Sequence, residues 1–113
     1  SSPPISTIGP TEKETLKKYK NIDIYESVFT SLKYSIVNKK IPTYIKILVN
    51  GKNKRIIAAH MFGDEAPEII QVLAIAIQAN ATIDNFNNTM AIHPTVAEEF
   101  VTFKGPSRRI KRV

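Results

Sequence analysis

Apolar and polar positions alternate along several short stretches of this chain, and in one stretch the alternation stops. Tyr44-Ile45-Lys46-Ile47-Leu48-Val49 and Arg55-Ile56-Ile57-Ala58-Ala59-His60-Met61-Phe62 are rich in β-branched residues and flank an Asn50-Gly51 turn. Together they predict an antiparallel hairpin. Pro4 to Gly9 reads as a short strand closed by glycine, and Asn21 to Phe29 alternates well enough for another. Between those two, Thr11 caps a helix with Glu12 and Glu14 in its first turn and lysines toward its end. Leu16 and Tyr19 are its inward candidates. Thr30 to Pro42 is ambiguous: Leu32, Tyr34, Ile36 and Val37 are apolar, but Asn38-Lys39-Lys40 suggests an exposed loop.

The alternation stops at Ile69-Ile70-Gln71-Val72-Leu73-Ala74-Ile75-Ala76-Ile77-Gln78, where only the two glutamines, seven apart, are polar. Asp64 is expected to open this helix, with Glu65 and Glu68 near its positive end and Pro67 in the first turn. A surface helix carries one apolar stripe, whereas one that is apolar nearly all round must be covered on both sides. One side has the chain's own sheet. The other calls for a partner, so oligomerisation through Ile69, Val72, Leu73, Ile75 and Ala76 is expected; the alternative is burial under the remaining helices. The segment is too short to span a bilayer. Asn80 should end it in the left-handed conformation that asparagine tolerates, and Thr82 and Asp84 should start a short helical turn through Phe86.

The resulting order, β-α-β-β-β-α-α-α, predicts an α+β domain with helices packed on an antiparallel sheet. With 113 residues there is room for one core. We divide the chain into a domain at 1–104 and a basic tail at 105–113. The sequence opens at Ser1-Ser2-Pro3-Pro4, which reads as the middle of a longer protein. A net charge of +6 invites a nucleic-acid reading. Its distribution speaks against one, because Lys104, Arg108, Arg109, Lys111 and Arg112 gather in the tail with no stacking aromatics among them. A solvated tail is expected instead.

The chemistry available is narrow. No cysteine is present, so there is no disulfide, thiolate nucleophile or cysteine-ligated metal. His60 and His93 are too few and too far apart for zinc, and four glycines build no phosphate-cradling loop. His60 alternates as a strand residue and reads as structural. His93 stands out. It precedes Pro94, which holds it extended and outside the following helix. Thr95 and Glu98 then form a Thr-x-x-Glu capping box. Glu98 can close that helix start or turn back to orient the imidazole, and spacing leaves both open. An imidazole with an ordinary pKa of about 6.5 suits proton transfer near neutrality.

At this point the residues resemble a known family. His60-Met61-Phe62-Gly63, Ala66-Pro67-Glu68-Ile69-Ile70-Gln71 through Ala76, Ala81-Thr82 and Ile92-His93-Pro94-Thr95-Val96-Ala97-Glu98-Glu99-Phe100-Val101-Thr102 closely resemble the C-terminal dimerisation domain of the glutathione reductase family of flavoprotein disulfide reductases. Pro3 to Gly9, followed by Thr11-Glu12, is similar to the start of that domain. The resemblance runs to about Lys104.

That resemblance implies a homodimer and, in the full-length enzyme, FAD and NADPH bound by upstream domains, with glutathione disulfide as substrate. The 113-residue chain alone would bind neither cofactor and would be inactive. It implies that His93 is the general acid serving the partner's site, that Glu98 orients it, and that the His93-Pro94 bond is cis. Main-chain atoms at His93 and Pro94 would approach the partner's flavin, and Phe29, Thr30, Leu32, Glu99 and Thr102 would contact substrate. A cytoplasmic enzyme without nucleic-acid or membrane partners is the expectation. Val72 stands where the family usually has glycine, as does Asn80; Pro10 replaces a common leucine, and Gly105 to Val113 extends past the usual end. Trypanothione and dihydrolipoamide reductases remain alternatives, although Ala91 stands where the dihydrolipoamide type usually has a second histidine. A dimerisation module without a catalytic role and a small basic nucleic-acid binder are the readings from other classes.

Overall fold

The computed structural model describes residues 5–33, 39–64, 66–88 and 105–111, with the side chains of 29–33 and 39–42 outside that description. Along the chain run β1 (Ile5–Ile8), α1 (Glu12–Lys18), β2 (Asn21–Lys33), β3 (Lys39–Asn50), β4 (Ile56–Phe62), α2 (Ala66–Gln78), α3 (Ile83–Asn87) and β5 (Arg108–Lys111). The five strands form one sheet in the order β1-β4-β3-β2-β5, antiparallel at every junction. An antiparallel sheet with helices packed on it is the predicted α+β architecture.

Strand alternation sends side chains to opposite faces, and here both faces are covered. Tyr25, Ile45, Ile47, Val49, Ala59 and Met61 form a core with Ala66 and Ile70 of α2 and Ile83 and Phe86 of α3. On the reverse side Ile22, Ile24, Leu48 and Ala58 form a smaller cluster under Leu16 of α1 and Tyr19, its C-cap. Ile22, Ile24, Ile45, Ile47, Leu48 and Val49 are fully inaccessible to solvent. Burying each such side chain contributes roughly 1.5–3 kcal/mol.

Caps fix the helix ends as the residue types predict. The Thr11 hydroxyl accepts from the Glu14 N–H at 3.1 Å, and the Glu14 carboxylate accepts from the Thr11 N–H at 2.9 Å. Thr82 and Asn85 repeat that reciprocal arrangement at α3. Asn80 sits at φ 62°, and the N–H groups of Asn80 and Ala81 bond the carbonyls of Ile77 and Ala76 at 3.0 Å each. This is a Schellman stop, with asparagine in the place glycine commonly takes. The next residues tie α3 to the sheet: Ile56 N–H donates to Ala81 O, and Ile83 N–H to Lys54 O, both at 2.9 Å. Gly9 is required at the β1–α1 link. Its φ is +84°, and a Cβ there would lie 2.6 Å from the Ile57 carbonyl oxygen.

Three expectations need correction. The ambiguous stretch Thr30 to Pro42 is strand at both of its described ends. β2 and β3 form a hairpin paired over twelve rungs, from Ile22↔Asn50 to Lys33↔Lys39, so Lys39 and Lys40 are strand residues. Pro42, opposite Thr30, fits because the β3–β4 ladder stops at Tyr44↔Phe62, which leaves its missing N–H without a ladder to serve on that side among the described residues. Second, α2 begins at Ala66, two residues after Asp64. Third, the solvated basic tail is in part a strand. Arg108–Lys111 pairs with Asn21–Ile24 and forms the sheet's outer edge.

Candidate functional site

The α2 helix separates its residues by burial. Ala66 and Ile70 are buried, while Ile69, Leu73, Ala76 and Ile77 lie partly buried on the core. These positions recur at helical spacing and make one inward stripe. On the outward side Val72 and Ile75 are 65% and 68% exposed, although both are large and apolar. Of the five residues expected at an interface, Val72 and Ile75 therefore face solvent. Ile69, Leu73 and Ala76 serve mainly the chain's own core and leave only an edge for a neighbour.

On the α1 side of the sheet, residues in register across four strands make a polar row: Thr7, His60, Lys46 and Glu26. Beyond it lies a more exposed row, Ile5, Phe62, Tyr44 and Val28. Ile5 and Val28 are 70% and 71% exposed. An open depression of about 330 Å³ lies between the two rows beside Glu12.

The polar row is knit by hydrogen bonds. His60 Nε2 lies 3.1 Å from the Pro10 carbonyl oxygen, an arrangement that needs Nε2 to carry the proton. Burial holds the His60 pKa below its ordinary value against the raising effect of that bond, and the Lys46 charge adds to the lowering. His60 is thus structural, as its strand position predicts. Tyr44 donates to Glu26 Oε2 at 2.5 Å, and Lys46 Nζ stands 3.4 Å from Glu12 Oε1. Arg108 reaches Glu12 at 2.8 and 3.1 Å and Glu26 at 3.0 Å. Glu26 is held below the usual carboxylate range, first by the Tyr44 hydroxyl and then by Arg108; Glu12 is held low chiefly by Arg108. Desolvation and the Glu26 carboxylate push the Tyr44 phenol up.

Sequence reasoning missed this network. Its hydrogen-bonded side chains lie on five elements, α1, β2, β3, β4 and β5, and the only hint was strand alternation, which gives a face but no cross-strand register.

The catalytic candidates His93 and Glu98, together with Pro94, Glu99 and Thr102, lie outside the described residues, as does the His93-Pro94 bond. Phe29, Thr30 and Leu32 are placed by backbone alone, opposite Thr43, Pro42 and Lys40 in the β2–β3 hairpin. Among the described residues no cluster of three His, Asp or Glu could hold a metal, and no helix is long and apolar enough to cross a membrane.

Comparison with known proteins identifies the fold. Residues 1–103 match the family described as the pyridine nucleotide-disulphide oxidoreductase dimerisation domain. The chain is 39% identical over 104 residues to a glutathione reductase of Burkholderia cepacia, covering 92% of this chain and 23% of that protein. It is 41% identical over 108 residues to a trypanothione reductase of Leishmania donovani, covering 95% and 22%. Against the chloroplastic/mitochondrial glutathione reductase of Pisum sativum it is 35% identical over 112 residues, covering 99% and 20%. The chain thus spans about a fifth of the length of the relatives it matches. On its sequence and its fold, it belongs to the dimerisation-domain family of the pyridine nucleotide-disulphide oxidoreductases.

Proposed function

We propose that this chain is the C-terminal interface domain of an NADPH- and FAD-dependent glutathione-disulfide reductase, where it forms the homodimer and supplies a general acid to the partner subunit's site. The observation that carries the reading is the outward pair Val72 and Ile75 on the central helix of a domain whose family is named for dimerisation. Two of the relatives described above are glutathione reductases. Bound NADPH and FAD would supply the reducing equivalents from domains outside this chain.

Within these residues the chemistry is proton transfer. When a thiolate attacks glutathione disulfide, one sulfur forms the new bond and the other departs with the electron pair. His93 donates a proton to the departing thiolate, a contribution of typically 10²- to 10⁴-fold. Glu98 accepts from the far ring nitrogen, which fixes the tautomer and favours the charged imidazolium. Pro94 would hold His93 extended, and main-chain atoms of the two would help to hold the partner's flavin. Phe29, Thr30, Leu32, Glu99 and Thr102 would contact the substrate. The chain by itself is inactive, because it lacks the thiols. The enzyme is cytoplasmic and has no nucleic-acid partner. Arg108 supports that last point, since its guanidinium is paired with Glu12 and Glu26.

The test separates the half-reactions of the full-length enzyme. His93→Gln should slow disulfide reduction by about 10²-fold or more while flavin reduction by NADPH continues at its normal rate. Equal loss of both would remove the acid role. The 41% identity to a trypanothione reductase favours a second reading, with trypanothione disulfide as substrate. The ratio of kcat/KM for the two disulfides decides between them.

A further inference from the structure

The family match ends at residue 103, and the described chain beyond it adds a strand to the sheet. Ser107 seals the junction. Its N–H donates to Ile24 O at 2.7 Å, and its hydroxyl accepts from Glu26 N–H at 3.0 Å and donates to Glu26 O at 3.2 Å. Arg108 then clamps Glu12 on α1 with two bonds while its Nε holds Glu26 on β2. Ile110 packs on the cluster of Ile22, Ile24, Leu48 and Ala58, and Arg109 stands 3.8 Å from the buried Asp23. Among the described residues, the strand pairing, hydrogen bonds and ion pairs of this segment go to α1 or to Asn21–Glu26 of β2.

α1 itself is lightly held. Only Thr15 of its seven residues is buried, and Leu16 meets the sheet part-exposed. Lys46 offers Glu12 one contact at 3.4 Å, longer than either Arg108 bond. The strap's charges are partly solvated, with the Arg108 side chain 45% exposed. Salt therefore screens them.

We propose that residues 105–111 are a detachable strap, which fastens α1 over the sheet and opens together with it while β3 and β4 stay folded. Native proteins open in contiguous units of differing stability, and this unit is bounded by where its contacts end.

Amide hydrogen exchange on the intact protein carrying this domain tests the proposal. Arg108→Met should raise exchange roughly tenfold or more across Glu12–Lys18 and Arg108–Lys111, with Ile45–Val49 and Ala58–Met61 unchanged. Arg108→Lys, which keeps the charge but not the two-pronged grip, should fall between. Molar salt on the unmodified protein should move the same segments in the same direction. Exchange that rises equally in β3 and β4, or a variant that does not fold, would show the strap to be part of the global unit. Unchanged exchange in α1 would show that Arg108 fastens nothing. Any of these results overturns the proposal.

Discussion

Val72 and Ile75 stand three residues apart on α2, on the same outward side, and both keep about two-thirds of their surface in water, at 65% and 68% exposure. Residues at that spacing are neighbours on a helix, so they present one apolar patch above a stripe already committed to the core. The double variant Val72→Lys, Ile75→Glu is expected to convert the full-length enzyme from dimer to monomer in sedimentation analysis. Each desolvated contact of this kind contributes on the order of 1–2 kcal/mol. Exposed positions cost the fold little, so the monomer should remain folded by circular dichroism.

The core makes a contrasting prediction. Ile47 is fully inaccessible between the sheet and α2, whereas Val28 is 71% exposed. Ile47→Ala should lower unfolding free energy by about 2–5 kcal/mol in denaturant titration. Val28→Ala should stay within about 0.5 kcal/mol.

His60 gives a pH dependence whose sign follows from linkage. Its folded pKa lies below the ordinary 6.5, mainly through burial, so the unfolded chain binds the proton more readily. The stability this group contributes is complete above the unfolded pKa, about 6.5, and is lost as pH falls through the folded value. Urea midpoints should decline as pH falls below about 6.5, and His60→Gln should flatten that part of the profile.

The bond from the Tyr44 hydroxyl does most to lower Glu26, and Arg108 adds to it. In Tyr44→Phe the Glu26 carboxyl should titrate at higher pH than in the unmodified protein, by carbon-detected NMR. It should still lie below the ordinary carboxylate range, because Arg108 Nε remains 3.0 Å away. In the unmodified protein the stabilisation from Glu12 and Glu26 is present above the ordinary carboxylate range and lost as pH falls through their lowered values.

The parts of this fold legible in sequence are those governed by neighbours a few residues away. Thr11, Thr82 and Asn80 each specify a helix end through contacts within five residues, and all three ends form as predicted. The Asn50-Gly51 turn likewise joins β3 to β4, where Asn50 N–H bonds Arg55 O at 2.9 Å. Lys39 and Lys40 looked like loop residues because lysine is depleted in strands; pairing with Leu32 and Lys33 decides otherwise. Ser107-Arg108-Arg109-Ile110-Lys111 carries one apolar residue and no strand signature of its own. Its partners Glu12 and Glu26 lie more than eighty residues back. The His93-Pro94 motif was the most specific signal in the sequence, and it falls among residues outside the described structure.

The most direct test of the central claim is a hybrid dimer. A subunit carrying His93→Gln is paired with one whose redox thiols are removed, the first strongly slowed and the second inactive as its own homodimer. If His93 serves the partner's site, the pair rebuilds one complete site and disulfide reductase activity returns. If the hybrid is no more active than its parents, the proton is not delivered across the interface, and the account is wrong.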